Sequence, residues 1–220
     1  TGGPLSTVFG GGFGRARIDA CNNAFLLVCL RQADGCAVPN LYRSMLTVDL
    51  NRLALTPGQL CLDIGCGEGR HSLAAHAFEG VYALGLDLCT KDLATAASRI
   101  ADMQVHCPKG AIAFGAGDAT QLPIADERVD VVIASEILEH IPDYLQVLKE
   151  AMRVLKPGGR LCISVPRQWP EWVCWQLSEG YRTTPGGHIR IFDATHLRRE
   201  VERFGFLFSG RGSAHALHVP

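Results

Sequence analysis

Five short apolar runs punctuate the second part of the chain, at 60–64, 81–87, 111–115, 129–134 and 160–165. Each is apolar enough to be covered on both faces, which predicts buried strands. The stretches between them, at 69–78, 90–103 and 143–155, are of helix length and end at Gly80, at Pro108 and at the Pro-Gly-Gly of 157–159. Strand, helix and strand in repetition predict right-handed crossovers, hence an α/β domain with a doubly wound, mostly parallel sheet. Ligands of such sheets bind outside the carboxyl ends of the strands, so the residues just after each run are where chemistry is to be sought.

This regular pattern begins only at Leu46. Six of the first fourteen residues are Gly, three cysteines follow, and no sustained helical or strand period runs through residues 1–44. We therefore expect a poorly specified extension over 1–44 and one domain over 45–220, with Met45 as the expected natural start of a chain that here opens on Thr1. The run "AFLLVCL" at 24–30 falls short of the roughly 18 apolar residues of a membrane span. No small-residue cleavage site follows it, so it reads as a buried helix or strand rather than a leader.

Composition narrows the function classes. With 220 residues, 47% hydrophobic and 20% charged, the chain can bury one sizeable core. A net charge of −1 supplies no basic field, so no nucleic-acid partner is expected. The nine cysteines stand singly with no C-x-x-C pair, which argues against a zinc ribbon or a disulfide framework and for a reducing, cytoplasmic setting. Cys61, Cys66 and Cys162 lie in or beside strand-like runs, as small buried thiols do.

The first strand runs into "LDIGCGEGRHS", where Asp63, Gly65, Gly67 and Gly69 spell D-x-G-x-G-x-G. A dinucleotide fingerprint counted from Gly65 needs Gly or Ala at position 70, and Arg70 stands there. The alternating glycines instead let the backbone pass close beneath a bulky ligand that need carry no pyrophosphate. The second strand ends "LGLDLC", putting Asp87 at its tip, about 20 residues beyond the turn, where a carboxylate can accept both hydroxyls of a ribose. Asp118 and Ala119 follow the third strand, suited to an adenine edge. Each feature alone is also explained as a tight connection or a helix cap; their order and spacing together carry the argument.

The combination "LDIGCGEGR", "LGLDLC", "GDATQLPIADERVDVVIASEILEHIPD" and "EAMRVLKPGGRLCISVP" resembles the class I S-adenosylmethionine-dependent methyltransferases, in particular the ubiquinone-biosynthesis-type and related small-molecule branch. The likeness covers about 46–210 and implies a Rossmann-like methyltransferase fold. It also implies a cofactor site at Asp63, Gly65, Cys66, Gly67, Gly69, Asp87, Leu88, Asp118, Ala119 and Glu136. The family fold has a seventh, antiparallel strand, and "GFLFSGRGSAHALHVP" can supply only a sixth, so the last edge strand is expected to be missing or built differently.

The acceptor side is read from "SEILEHIPD" and "GGHIRIF". Glu136, Glu139 and His140 can share one face at i, i+3 and i+4, and His188 should return toward the same cleft. His140 and then His188 are the candidate catalytic residues. The expectation is no metal, with Glu139 and His140 ordering the loop. The alternative is a divalent ion on Glu136, Glu139, His140 and His188, a mixed N/O set that some related methyltransferases use. Trp169, Trp172 and Trp175, spaced i, i+3 and i+6, form a stripe that is either a packed lid helix or an apolar roof over the acceptor.

Together these readings predict methyl transfer to a small, apolar or aromatic acceptor, with the oligomeric state left open. The rival from another class is a non-catalytic module that binds S-adenosylmethionine as a sensor or scaffold. A nucleotide-dependent oxidoreductase is disfavoured by Arg70 and by the lack of a Y-x-x-x-K pair.

Overall fold

A computed structural model of the chain describes residues 24–27, 46–102, 109–168, 172, 176–177 and 187–210. Seven strands form one sheet: β1 Ala24–Leu27, β2 Leu60–Ile64, β3 Tyr82–Asp87, β4 Ile112–Ala116, β5 Val129–Ser135, β6 Leu155–Ser164 and β7 Phe206–Gly210. Among the described residues the full helices are α1 Arg70–His76, α2 Thr90–Asp102, α3 Tyr144–Val154 and α4 Ala194–Arg203, along with a 3-10 turn at Leu50–Leu53. The strand order is β4-β3-β2-β5-β6-β1-β7, and every pairing is parallel. The chain steps outward from β2 through β3 to β4 and then crosses to β5, so the switch point lies between β2 and β5.

The apolar runs bury both faces by alternation. Leu62, Ile64, Val132, Ala134, Leu161 and Ile163 join Val147, Leu148 and Ala151 of α3 and Leu197 and Val201 of α4 in one core. Cys61, Val131, Ile133 and Cys162 point the other way, onto Ala74 and Ala75 of α1 and onto Val48, Leu50 and Leu53. With both faces covered, the central strands are apolar at most positions, and the buried polar exceptions, Asp63 and Ser135, lie toward their carboxyl ends.

One sequence expectation is corrected by the strand boundaries. The Pro-Gly-Gly does not end a helix, since α3 stops at Val154 and β6 begins at Leu155. The pairing of β6 with β5 jumps from Val129↔Leu155 to Val131↔Arg160, so residues 156–159 bulge from the ladder, and Gly158 takes a left-handed φ of 75° to allow it. The sheet edge is built differently, the second of the two outcomes expected for it. Ala24–Leu27, within the 24–30 run read as a buried helix or strand, runs parallel between β6 and β7 and makes β7 the edge. A continuous four-residue apolar run suits a slot flanked by two strands, and its short length gives a periodicity search little to detect.

Candidate functional site

Beyond Ile64 the chain turns against the tip of β3, where Gly65 N–H and Cys66 N–H both donate to the Leu86 carbonyl at 2.8 and 3.1 Å. Gly65, Gly67 and Gly69 all hold positive φ, of 67°, 51° and 81°, a backbone that glycine adopts without steric cost. Their surroundings differ. A Cβ on Gly65 would strike Ile137, and one on Gly69 would lie 2.7 Å from the Phe114 ring and 2.9 Å from Ala96 Cβ, so both positions are closed by packing. A Cβ on Gly67 would meet nothing within 4 Å. Of the three, Gly67 alone presents backbone to open space.

Asp63 is buried, and its Oδ2 accepts from Ser72 N–H at 3.1 Å and Ser72 Oγ–H at 2.7 Å, tying β2 to the first turn of α1. Burial pushes its carboxyl up to about 6 even though both Ser72 bonds favour the ionised form. The Cys66 thiol is buried and its pKa is raised, first by burial and then by the charge of Asp63, so it is unreactive. Asp63, Gly65, Cys66 and Gly69 thus shape the turn from within.

Asp87 ends β3 beside Gly67. Its Oδ2 accepts Gly67 N–H and its Oδ1 accepts Cys89 N–H, each at 2.8 Å. Each carboxylate oxygen keeps acceptor capacity beyond one such bond, enough for two hydroxyl donors. Leu88 follows with 71% of its surface in solvent, an apolar side chain held at the mouth of the site. Across the strand ends, Asp118 Oδ1 accepts from Thr120 N–H and Oγ–H at 2.8 and 2.7 Å, which lowers its pKa, while the Ala119 side chain is buried in the core.

On the β5 side, Glu136 takes a left-handed φ of 52°, a strained conformation for a side chain of its size, and the next residue, Ile137, fills the space over Gly65. Ser164 Oγ–H donates to Glu136 Oε1 at 3.0 Å. Behind this contact lies a polar cluster that sequence reading missed. Ser164 Oγ is 2.8 Å from Ser135 Oγ, Ser135 Oγ is 2.5 Å from Thr47 Oγ1, and the Thr47 backbone N–H donates to His71 Nε2 at 3.3 Å. A nitrogen that accepts a backbone N–H carries no proton, so His71 is neutral, and burial holds its pKa down at about 3. Its only sequence signal was three hydroxyl residues and one histidine scattered over Thr47–Ser164.

Three of the four candidate acceptor residues lie together. Glu139, His140 and His188 bring ligand-type atoms within 4.8 Å of one another, and Glu136 is not part of that group. The His140 and His188 rings meet edge to face with centroids 4.7 Å apart. The segment from Gly187 is strapped over the 138–142 loop: Ile189 N–H donates to Glu139 O at 2.9 Å, and Arg190 donates to Pro142 O at 2.7 Å while lying 4.7 Å over the Tyr144 ring. His140 Nδ1 lies 3.3 Å from Gly187 O. A carbonyl can only accept, so Nδ1 donates and the lone pair of the neutral ring sits on Nε2. Of the tryptophan stripe, Trp172 is helical and 47% exposed, and Trp169 and Trp175 lie outside the described residues. Among the described residues no helix is long and apolar enough to cross a membrane.

Known proteins share this architecture. Residues 62–163 match the family model described as a methyltransferase domain. A protein of Mycolicibacterium smegmatis assigned as an S-adenosylmethionine-dependent methyltransferase is 31% identical over 207 residues, covering 89% of this chain and 74% of its own length. The 27-O-demethylrifamycin SV methyltransferase of Amycolatopsis mediterranei is 37% identical over 111 residues, 50% of this chain but only 40% of its own. The chain thus spans less than half of that relative, and 47% and 37% of two further Streptomyces proteins. Among solved structures, a candidate methyltransferase from Bacillus halodurans superposes with a TM-score of 0.57 at 27% identity, over 76% of this chain and 68% of its own.

Proposed function

From a chain that belongs to the S-adenosylmethionine-dependent methyltransferases, we propose a methyl transfer from S-adenosylmethionine to a small apolar or aromatic acceptor. The observation that carries this reading is the pairing of open backbone at Gly67 with the Asp87 carboxylate bonded to that same backbone. A thioether-linked nucleoside fits such a cradle, because it asks for close backbone approach and for two acceptors facing a ribose, and needs no pyrophosphate clamp. Leu88, exposed at the rim, offers apolar cover to a base, and the 118–119 backbone lies across from it.

Bound there, S-adenosylmethionine would supply a methyl group on a positively charged sulfur, ready for in-line displacement. The chain's own contribution is alignment and dryness. Glu136 and the glycine turn flank the switch point, and the strap from Gly187 closes one side of the cleft. If the acceptor atom is a hydroxyl oxygen, its proton must leave as the O–CH3 bond forms and the S–CH3 pair returns to sulfur. His140 Nε2, with Nδ1 turned to Gly187 O, is the group placed to take it.

One observation favours a second reading on the same residues. Glu139, His140 and His188 are close enough to hold a divalent ion, and two imidazoles with one carboxylate form a fitting donor set. Labelled-methyl transfer to phenol and quinol acceptors, run with and without chelator, separates the two. With His140 as base, activity survives chelator, His140→Ala lowers turnover by about a hundredfold, and His188→Ala costs less. Loss in chelator that added divalent ion restores would assign the three residues to a metal. Cofactor binding without transfer to any acceptor would replace the enzyme by a sensor. We further propose that the catalytic residues all belong to 45–220, with Ala24–Leu27 completing the sheet of that domain, and that the singly placed cysteines reflect a cytoplasmic location.

A further inference from the structure

The loop between β4 and β5, residues 117–128, carries Asp118 and Ala119 but does little to hold its own shape. Its internal support is the Asp118 contact with Thr120 and one bond from Gln121 N–H to Asp118 O at 3.0 Å. Gly117 N–H donates to Asp87 O at 3.1 Å, Ala119 and Leu122 are buried in the core, and the polar fastening of the loop's middle comes from α3. Gln146, Glu150 and Arg153 stand at i, i+4 and i+7, which puts them on one face of that helix. Gln146 Nε2 donates to Thr120 O at 3.3 Å. Glu150 Oε2 accepts Leu122 N–H at 2.8 Å. Arg153 donates to Ile124 O at 2.7 Å and to Leu122 O at 3.1 Å, and it grips Glu150 in a two-pronged pair, Nε to Oε1 at 2.8 Å and Nη2 to Oε2 at 2.6 Å.

A fork that satisfies one carboxylate and two carbonyls at once is a task for guanidinium geometry. Glu150 is buried, and it links the arginine to the Leu122 amide. The exposed contact of Arg153 with Asp126 contributes little beside this. We propose that Arg153, acting through Glu150, is a positioning residue for the nucleoside half of the cofactor site, holding the 118–122 backbone in the shape that receives the base. The proposal rests on the methyltransferase reading above. The loop is preorganised by α3, so losing the fork should cost affinity through loop ordering.

The test is calorimetric titration of the full chain with S-adenosylmethionine and with 5′-methylthioadenosine, which keeps the nucleoside and lacks the amino-acid arm. Arg153→Lys retains the charge and loses the fork. It should weaken both ligands by the same factor, about tenfold, at a temperature where circular dichroism shows the variant fully folded. Glu150→Gln should do likewise, and the double variant should be no worse than the weaker single, because both changes release the same loop. Gln146→Ala, a milder change should Arg153→Lys not fold, should cost both ligands about threefold. Unchanged affinities with a lowered unfolding temperature would overturn the proposal, leaving Arg153 a purely structural tie. A wild-type chain that binds neither ligand would overturn the methyltransferase reading itself, and the proposal with it.

Discussion

The glycine turn after β2 and the loop after β5 sit side by side at the carboxyl ends of the sheet, yet they are held by different means. The turn is local: Asp63 reaches Ser72, Gly65 and Cys66 reach Leu86, and Asp87 reaches Gly67. The loop depends on distant parts of the chain, with Glu136 held by Ser164, that serine joined through Ser135 to Thr47, and His140 set against Gly187. The two halves meet at α1, where adjacent residues face opposite ways: Ser72 takes Asp63, and His71 takes Thr47. A cofactor shared by a whole family can be held by a short spacing. An acceptor pocket has to be assembled from whatever the fold brings near.

The largest effects should come from the turn, and they should split by position. Gly69→Val places a branched side chain against Phe114 and Ala96 on a left-handed backbone, and it should unfold the domain. Gly67→Val bears the cost of a left-handed φ of 51°, but its Cβ meets nothing within 4 Å, so the chain should still fold with a lowered unfolding temperature while losing detectable S-adenosylmethionine binding. Thermal unfolding beside calorimetry on both variants checks this. A folded Gly67→Val chain that still bound the cofactor would move the ligand away from the turn.

That split also shows what the sequence could and could not tell. Asp63, the three glycines, Asp87 and Asp118 were readable because each lies at a fixed step from a strand end, and the parallel sheet sets those steps. That only Gly67 opens to free space was not readable, since Ile137 and Phe114, which close the other two positions, belong to other elements. The 24–30 run was read as a buried helix or strand, but which of the two it forms and where it pairs were not readable, since its partners, β6 and β7, lie more than 120 residues away. The Pro-Gly-Gly was misread because those residues end helices more often than they bulge from a buried strand. The nearness of His140 and His188 was expected from the return of the 187–192 segment, and their rings do meet, whereas the separation of Glu136 from them depends on a positive φ and on Ser164, neither of which is a sequence pattern.

The next effect sharpens the contrast at α1, because its two anchors respond to pH in opposite directions. His71 stays neutral in the folded chain down to about 3, whereas an exposed histidine takes its proton near 6.5. Between those values the unfolded state holds the extra proton, so His71 makes stability rise with pH. Asp63 keeps its proton in the folded chain up to about 6 against 3.8 when exposed. Between these the folded state holds the extra proton, so Asp63 makes stability fall as pH rises. From pH 3.8 to 6 the two slopes oppose each other at about 1.4 kcal/mol per pH unit each. Denaturant unfolding across that window should show the penalty of His71→Gln growing toward neutral pH, by about 3 kcal/mol. Asp63→Asn should gain a similar amount on wild type over the same range. Variant curves parallel to wild type would mean that neither group is perturbed as its burial implies.

The smallest predicted effect asks whether Asp87 serves the ligand or only the turn. Its two oxygens already hold Gly67 N–H and Cys89 N–H, so Asp87→Ala removes a turn anchor along with any ribose acceptor, and a weakened affinity alone is ambiguous. A ligand that lacks the ribose hydroxyls separates the roles. S-adenosylhomocysteine should bind Asp87→Ala about tenfold more weakly than wild type, a loss of about 1.4 kcal/mol, in the range expected for hydrogen bonds to a charged acceptor. Its 2′,3′-dideoxy analogue should bind wild type about tenfold more weakly than S-adenosylhomocysteine, and should not distinguish wild type from Asp87→Ala, because the groups that would pair with the carboxylate are absent. If the analogue instead loses the same tenfold on Asp87→Ala, the carboxylate acts through the backbone of the turn and not on the sugar. The cofactor side would then be held as indirectly as the acceptor side, through a residue that never touches what it binds.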